Sequence, residues 1–306
     1  MRIITDWQGL DEADRGASVA LGNFDGVHLG HQSVIALAKG PRHGVISFEP
    51  HPREFFAPAA PAFRLMNAEA RAHRLEKLGL THLYQLRFTA TLAAMSADSF
   101  ASEILAQGLG VSHVVVGTDF RFGKGRTGTA ETLAALSRSL GFKTTIAPLL
   151  VSEGREISST SIRAALSAGR PGDAAAMLGH WHRIEGPVIH GEKRGRSLGF
   201  PTANMALSGL HLPRFGVYAS RADVLSGPHK GSYNAATSLG IRPQYGENTP
   251  NLETFLLDFD GDLYGETLSV ALVDYLRPEA TFPSLDTFLA QMHQDCARAR
   301  QILTAL

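Results

Sequence analysis

The first half of the chain alternates short apolar runs with longer amphipathic stretches. Continuous apolar runs are typical of strands buried on both faces of a parallel sheet, and repeated β-α units indicate an open sheet covered by helices. The apolar runs lie at residues 18–22, 44–48 and 111–117, and the amphipathic stretches lie at residues 29–39, 67–79, 97–108 and 129–140. This half is therefore predicted to form an α/β unit on a doubly wound parallel sheet.

The pattern changes from about residue 183 onward. Leu268, Val270 and Leu272 alternate with small or polar residues, which is the two-residue period of a half-buried antiparallel strand. The segment 260–262 reads Asp-Gly-Asp, a hairpin signal. Ser284 then precedes apolar residues at helical spacing, as an N-cap does. We predict a small β-barrel with one C-terminal helix, and hence domains at 1–181 and 182–306.

Composition narrows the classes of partner. The chain has 306 residues, enough for two domains, with 29 Lys and Arg balanced by 29 Asp and Glu. No overall positive field favours nucleic acid or a membrane, so a bound anion needs a local arrangement of donors. Cys296 is the only cysteine, which excludes an internal disulfide and a cysteine-based zinc site. The sequence shows no signal peptide and no transmembrane pattern, so we expect a cytoplasmic protein that binds neither nucleic acid nor a membrane. We expect it to be a monomer or a weak homo-oligomer.

The turn from the first strand into the first helix carries two histidines. His28 and His31 are three residues apart, so they share one face of a helical first turn. Gly30 between them lets a ligand approach the backbone, and free N–H groups with the positive end of the helix dipole favour phosphate. Two imidazoles there can stabilise charge that develops on an attacked α-phosphate. The alternative is a pair of surface or capping histidines.

A second polar segment precedes the helical run 164–168. Ser159 and Thr160 are predicted at or near an N-cap, and Arg163 follows one turn later on the face of Thr160. Capping explains one hydroxyl residue, but it does not explain an arginine placed to clamp β- and γ-phosphates.

The segment 123–128 matches the spacing of a dinucleotide-binding loop. It starts six residues after the predicted strand, and the position about twenty residues further on is a proline rather than an acid, so we reject that interpretation. A near match to a P-loop fails because the required Ser or Thr is absent. The segment is interpreted as a basic loop that closes over ATP or FMN, or else as a solvated turn.

Together these segments resemble a known family. The two motifs resemble the HxGH nucleotidyltransferases, and residues 22–28, 48–53 and 117–123 are similar to the bacterial bifunctional FAD synthetases. The resemblance implies adenylyl transfer from ATP to FMN with release of pyrophosphate, and it makes His28, His31 and Arg163 catalytic. It further implies nucleotide contacts at Gly22, Asn23, Phe24, His28, His31, Asp119, Ser159, Thr160 and Arg163, and candidate flavin contacts at His51, Arg53, Arg121 and Phe122.

The second half has its own polar constellation. A basic, glycine-rich loop between strands can wrap a polyphosphate, through Gly191, Lys193, Gly195, Arg196 and Gly199. Thr202 and Asn204 share a face in an extended segment, and their neutral oxygens suit Mg²⁺. Glu253 lies on an apolar strand face, where a carboxylate is costly without partners and suits a general base. The alternative is an edge strand on which Glu253 faces water.

These residues resemble the riboflavin kinase family. The strongest motif is Gly199–Asn204, joined by residues 216–218, 261–265 and 276–279. The resemblance implies a six-stranded barrel, Mg-ATP held by Thr202 and Asn204, and Glu253 deprotonating the ribityl 5′-hydroxyl for attack on the γ-phosphate. The family often has threonine where this chain has Gln244, which implies altered flavin or loop contacts.

Two other functions compete with this interpretation. Another HxGH enzyme, such as a pantetheine-phosphate or nicotinamide-mononucleotide adenylyltransferase, does not require the Gly199–Asn204 segment or Glu253. A flavin-binding regulatory or storage protein does not require the full set of polar site residues. The ordered motifs from about residue 18 to 303 favour a bifunctional enzyme that makes FMN and then FAD from riboflavin and ATP.

Overall fold

The computed structural model describes residues 1–148, 150–152, 155–191, 198–241 and 249–306. The chain forms two compact units. The first comprises Met1–Pro61 with Arg71–Ile157, and the second comprises Ala62–Ala70 with Ser158–Leu306. None of the helices in these ranges is long and apolar enough to span a bilayer.

The first unit is built on a six-stranded parallel sheet. The strands of this sheet are β1 (Arg2–Ile4), β2 (Ser18–Leu21), β3 (His43–Glu49), β4 (His82–Arg87), β5 (His113–Gly117) and β8 (Lys143–Ala147). Two separate two-stranded ladders are formed by β6 (Arg121–Phe122) with β7 (Gly128–Thr129) and by β9 (Val151–Ser152) with β10 (Arg155–Glu156). The main sheet has the order β1-β4-β3-β2-β5-β8, and every pair in it is parallel. The strand order reverses at β2. This confirms the predicted doubly wound sheet, whose ligand site is expected where the order reverses, at the carboxyl ends of β2 and β5.

Helices cover both faces of this sheet. They are α1 (Leu29–Ile35), α2 (Pro52–Phe56), α3 (Ala68–Lys77), α4 (Ala90–Ala94), α5 (Ala97–Ser99) and α6 (Ala130–Leu140). The predicted helix at 97–108 is α-helical only at its start and continues as a π-helix over Phe100–Gly108. Val114 and Val116 pack into the larger core with Phe100 and Ile104, whereas Val115 packs on the opposite face. The apolar runs predicted to be buried strands are buried because both faces of the sheet are covered.

The second unit is a nearly closed antiparallel barrel with helices. Its elements are α7 (Ser159–Ser167), α8 (Pro171–Leu178), β11 (Arg183–Pro187), β12 (Ala203–Ala206), β13 (Gly216–Val224), β14 (Gly231–Ile241), β15 (Pro250–Leu256), β16 (Thr267–Arg277) and α9 (Leu285–Thr304). The strand order is β11-β16-β13-β14-β15-β12. An isolated bridge between Ile189 and Asn204 brings the two end strands together. The predicted six-stranded barrel with a terminal helix is confirmed.

One local prediction is wrong. The Asp-Gly-Asp segment at 260–262 predicts a hairpin, but the strands on either side of it, β15 and β16, are not neighbours in the sheet. The segment is a longer connection, because β15 pairs with β14 and β12 whereas β16 pairs with β11 and β13.

The terminal helix is held to the outer face of the barrel by packing and by a largely buried ion pair. Ala299 and Leu303 pack on Val217, Ala219 and Ala236. The Nη2 atom of Arg277 in β16 lies 2.7 Å from Oδ2 of buried Asp295, and its Nε also donates to that carboxylate. Ser284 caps the helix by accepting a hydrogen bond from the Thr287 N–H, as predicted.

Candidate active sites

The loop that leaves β2 has an unusual backbone. Phe24 and Val27 have φ of 54° and 44°, in the left-handed region that disfavours residues with a Cβ and above all β-branched ones. Such residues cost of order 1–3 kcal/mol each and are enriched at functional sites. Both side chains are buried, and the Val27 N–H donates to the Phe24 carbonyl. Burial thus stabilises a strained loop at the point where the strand order reverses.

This loop delivers His28 to the start of α1. The Nδ1 atom of His28 accepts a hydrogen bond from the His31 backbone N–H at 3.2 Å, so His28 is the N-cap. The two imidazoles stack with centroids 3.6 Å apart and an angle of 16° between ring planes. Phe24 meets His31 edge-on at 5.3 Å. The capping role considered as the alternative is therefore real, and it also fixes both rings over the helix N-terminus.

A side chain on Gly30 would crowd the ring of His28. A Cβ at this position would lie 3.1 Å from both Cε1 and Nδ1 of His28 and 3.5 Å from the carbonyl oxygen of Ile157. These first two distances are tighter than ordinary carbon contacts. The sequence analysis expects the glycine to admit a ligand; in the structure the space beside it holds the imidazole of His28.

His31 is neutral at physiological pH. Burial first, and the neighbouring His28 second, lower the pKa of His31 well below the ordinary 6.5. Its Nδ1 is buried and has no hydrogen-bond partner among the described residues. A buried ring nitrogen without a partner costs free energy that a bound polar group would recover.

Three further candidates lie near the reversal of strand order. Asp119 follows β5, is exposed, and has Oδ1 2.9 Å from the position of a Cβ on Gly117. Gly22 has the ring of Phe24 3.2 Å from the position of its missing Cβ. Asn23 accepts a hydrogen bond at its backbone carbonyl from Arg71. These positions surround the carboxyl end of β2.

The four candidate flavin contacts have clear local roles. His51 caps α2, with Nδ1 accepting from the Arg53 N–H at 3.0 Å, while Arg53 itself is exposed. Phe122 is buried in the main core against Phe100, at 5.7 Å between centroids, and Arg121 is exposed. Capping and core packing therefore account for His51 and Phe122, and flavin contact by all four stays a prediction.

The glycine-rich segment 123–128 joins two short paired strands. Arg121 pairs with Thr129 and Phe122 pairs with Gly128 in an antiparallel ladder. A Cβ on Gly128 would lie 2.7 Å from the ring of Phe122, so glycine is needed for packing there. The structure thus describes a small hairpin at this position.

Sequence analysis missed a buried arginine at the same edge of the sheet. Arg71 in α3 is only 3% exposed. Its guanidinium donates to the Asn23 carbonyl at 3.5 Å and, through Nη2, to Glu49 Oε2 and Gln85 Oε1 at 3.2 Å each. The signal was its place on the apolar stripe of the predicted helix, in line with Leu75.

The second nucleotide motif belongs to the other compact unit. The N-cap of α7 is Ser158, which accepts from the Ser161 N–H, so Ser159 and Thr160 are the first two helical residues rather than the cap. Arg163 donates from Nε to the Phe63 carbonyl at 2.6 Å, and its guanidinium lies 5.4 Å from the centroid of that ring. Nucleotide contact by these three residues stays a prediction from the motif.

The kinase candidates converge on the outer face of the barrel. Glu253 in β15 pairs with Asn204 in β12 on one side and with Ser238 in β14 on the other. The edge-strand alternative is therefore wrong, because β15 has a neighbour on each side, and Glu253 is buried. Asn251, which sequence analysis missed, donates from Nδ2 to Glu253 Oε1 at 3.2 Å and to Asn204 Oδ1 at 3.4 Å.

Gly191 lies close to the side chain of Asn204. A Cβ on Gly191 would lie 2.5 Å from Nδ2 of Asn204, so a side chain there would force the Asn204 amide to move. Asn204 also donates from Nδ2 to the Thr202 carbonyl at 3.2 Å. Gly199 has φ of 81°, a left-handed turn. Phe200 beyond it is buried against Phe255.

Part of the predicted kinase loop falls elsewhere. Lys193, Gly195 and Arg196, like Gln244, lie outside the described residues. Across the ranges that the structure describes, no group of three or more His, Cys, Asp or Glu side chains is placed to hold a metal ion.

Comparisons with known proteins match the two halves of the chain to two different families. Residues 10–161 match the FAD synthetase family, and residues 178–303 match the riboflavin kinase family. A bifunctional riboflavin kinase/FMN adenylyltransferase of Pseudomonas fluorescens is 37% identical over 99% of this chain and 98% of its own. The protein of that name from Escherichia coli K12 is 36% identical over 98% and 97%.

The chain belongs to the bifunctional riboflavin kinase/FMN adenylyltransferase family. The resemblance stated from the motifs is thereby confirmed. A crystal structure titled macrolide-efflux protein, from Streptococcus pneumoniae, is similar to this chain with a TM-score of 0.81 and 28% identity, covering 98% of each chain. That similarity supports the fold described above. The stacked rings of His28 and His31 lie in the first unit, and the buried residues Glu253 and Asn204 lie in the second.

Proposed function

We propose that this chain phosphorylates riboflavin to FMN at the barrel and adenylylates FMN to FAD at the parallel sheet, with ATP as the donor in both reactions. We assign the second reaction to residues 1–181 and the first to residues 182–306. The observation that carries the proposal is that each half buries a different polar group in a position that suits its reaction: His28 stacked with His31, and Glu253 beside Asn204.

The kinase reaction needs a base beside the nucleophile. Glu253 is buried in the middle of a sheet, where its carboxylate is desolvated and fixed by Asn251. It accepts the proton of the ribityl 5′-hydroxyl as that oxygen attacks the γ-phosphorus of ATP. The O–P bond to the ribityl oxygen forms while the bond from the γ-phosphorus to the β,γ-bridging oxygen breaks, and ADP leaves. General-base catalysis of this kind contributes about 10²–10⁴-fold.

The neutral side-chain oxygens of Thr202 and Asn204 suit a magnesium ion. Asn204 Oδ1 and the Thr202 hydroxyl are hard oxygen donors, and Mg²⁺ is usually held by few protein ligands together with waters and substrate phosphates. Bound there, Mg²⁺ would neutralise charge on the ATP phosphates.

Adenylyl transfer needs charge stabilisation rather than a protein nucleophile. A phosphate oxygen of FMN attacks the α-phosphorus of ATP, and the bond to the α,β-bridging oxygen breaks to release pyrophosphate. The N-terminus of α1, with His28 and His31 stacked over it, offers N–H donors where that charge develops. Burial lowers the pKa of His31, which favours the neutral ring, and a neutral imidazole still carries one N–H donor.

Triphosphate binding by Ser159, Thr160 and Arg163 and flavin contact near His51 rest on the motif resemblance. The cytoplasmic location rests on the sequence pattern, and the monomeric or weakly associated state stays a prediction.

The decisive experiment follows flavins by chromatography after riboflavin and Mg-ATP are added. We expect riboflavin to fall, FMN to rise and FAD to follow. Glu253→Gln should slow FMN formation by about 10³-fold, yet leave FAD formation from supplied FMN intact. His28→Ala should do the reverse, again with a loss of about 10³-fold. Loss of both reactions in either folded variant would refute the assignment of two separate sites.

A further inference from the structure

We propose that Arg71 is a positioning residue for adenylyl transfer, which fixes the loop carrying His28 by joining the carboxyl ends of three strands. The inference rests on the proposed adenylyl-transfer site. The described contacts of Arg71 are with the loop after β2 and with β3 and β4, and we infer that its effect passes through the loop.

The contacts of Arg71 span the working edge of the sheet. Asn23 follows β2, Glu49 is the last residue of β3, and Gln85 lies in β4 opposite Ser47 of β3. The guanidinium therefore connects three adjacent strands at or near their carboxyl ends, with donor–acceptor distances of 3.2–3.5 Å. Side chains at this edge are expected to serve the ligand in an open α/β sheet.

The contact to the Asn23 carbonyl acts on the strained part of the loop. Asn23 immediately precedes Phe24, which is in the left-handed region, and Val27 follows in the same region. Such conformations persist only where surrounding structure over-determines them. A buried donor to the preceding carbonyl supplies one of these constraints, and His28 is the residue directly after Val27.

A guanidinium suits this position better than an ammonium group. Arginine presents several donors in a rigid planar fork, whereas lysine offers a point charge on a flexible stem. The acceptors here are a backbone carbonyl, a carboxylate and a side-chain amide on three different strands. Lysine can keep the charge beside Glu49 but is not expected to hold all three acceptors.

The test compares both reactions of the full-length chain. Arg71→Met should lower kcat for FAD formation from supplied FMN by about 10²-fold, the scale expected when catalytic groups move by about 1 Å. Phosphorylation of riboflavin should change less than about twofold. Arg71→Lys should recover part of the loss, and it also serves if the methionine variant does not fold.

Arg2→Met is the matched control. Arg2 holds buried Asp14 at 2.7 Å, but β1 begins at the opposite, amino-terminal edge of the same sheet. This variant removes an arginine–carboxylate pair from the same unit. We expect lower stability and an unchanged kcat for FAD formation per folded molecule.

A double variant separates positioning from a general structural role. If Arg71 acts through His28, the variant with both Arg71→Met and His28→Ala should be no slower than His28→Ala alone, within about threefold. Multiplied losses, or an equal loss of FAD formation in Arg2→Met, would overturn the inference. If His28→Ala itself left FAD formation intact, the proposed site would fail instead, so the two failures are distinguishable.

Discussion

His182 should make the stability of the barrel unit depend on pH. This residue is 3% exposed, just before β11, and its Nε2 lies 3.0 Å from the Leu65 carbonyl oxygen. Burial is the main cause that lowers its pKa from 6.5 to about 4. Its other nitrogen, Nδ1, has no hydrogen-bond partner among the described residues, so a proton added there would be buried unpaired. The neutral ring therefore donates from Nε2 to Leu65.

The effect of pH on the free energy of unfolding follows from the different pKa values of His182 in the folded and unfolded chains. Above pH 6.5 the ring is neutral in both the folded and the unfolded chain, so its contribution is fully present. As the pH falls below 6.5, the unfolded chain binds a proton that the folded chain refuses until about pH 4. With 1.36 kcal/mol for each pKa unit, the free energy of unfolding falls by about 2 kcal/mol at pH 5 and about 3 kcal/mol at pH 4.

His182→Gln should remove this dependence. Glutamine can donate a hydrogen bond to the Leu65 carbonyl but does not titrate. Urea unfolding is followed at pH 7 and pH 5 by the fluorescence of the adjacent Trp181, in a Trp7→Phe background. The loss between the two pH values should shrink by about 2 kcal/mol in the variant.

The Trp7→Phe chain with His182 intact is the reference, and it should lose about 2 kcal/mol of stability between pH 7 and pH 5. If His182→Gln lost as much stability as the unchanged chain between pH 7 and pH 5, the linkage argument would be refuted.

Further predictions concern the packing of Gly30 against His28 and the buried ion pair of the terminal helix. Gly30→Ala should lower FAD formation by at least about tenfold without loss of stability, because a Cβ 3.1 Å from the His28 ring displaces it while alanine favours the helix. Gly172→Ala, with open space at its Cβ, should change neither reaction; a similar fall in FAD formation there would contradict the packing argument. Asp295→Asn should destabilise the chain by about 3 kcal/mol, measured by urea unfolding, because it leaves the buried side of Arg277 unpaired; a change below about 0.5 kcal/mol would contradict this.

Local sequence patterns were sufficient to predict elements whose formation depends on consecutive residues. Buried runs such as Val114–Val116 identified the sheet strands, and Ser284 identified the start of the last helix. The Asp-Gly hairpin signal at 260–262 failed, because pairing between strands depends on barrel closure rather than on the intervening turn. The helix predicted at 97–108 gave no sign of its π-helical turns.

The site residues divide along the same line. The sequence by itself determined the two pairs of motifs, the order of the halves and the chemical types of the candidates, because these are properties of consecutive residues. Only the tertiary structure decided that Glu253 is buried between two strands beside Asn204, and that Arg71 joins three strand ends beneath the loop carrying His28. Those relations depend on strand order and register, which bring together residues far apart in the chain, and no local period encodes them.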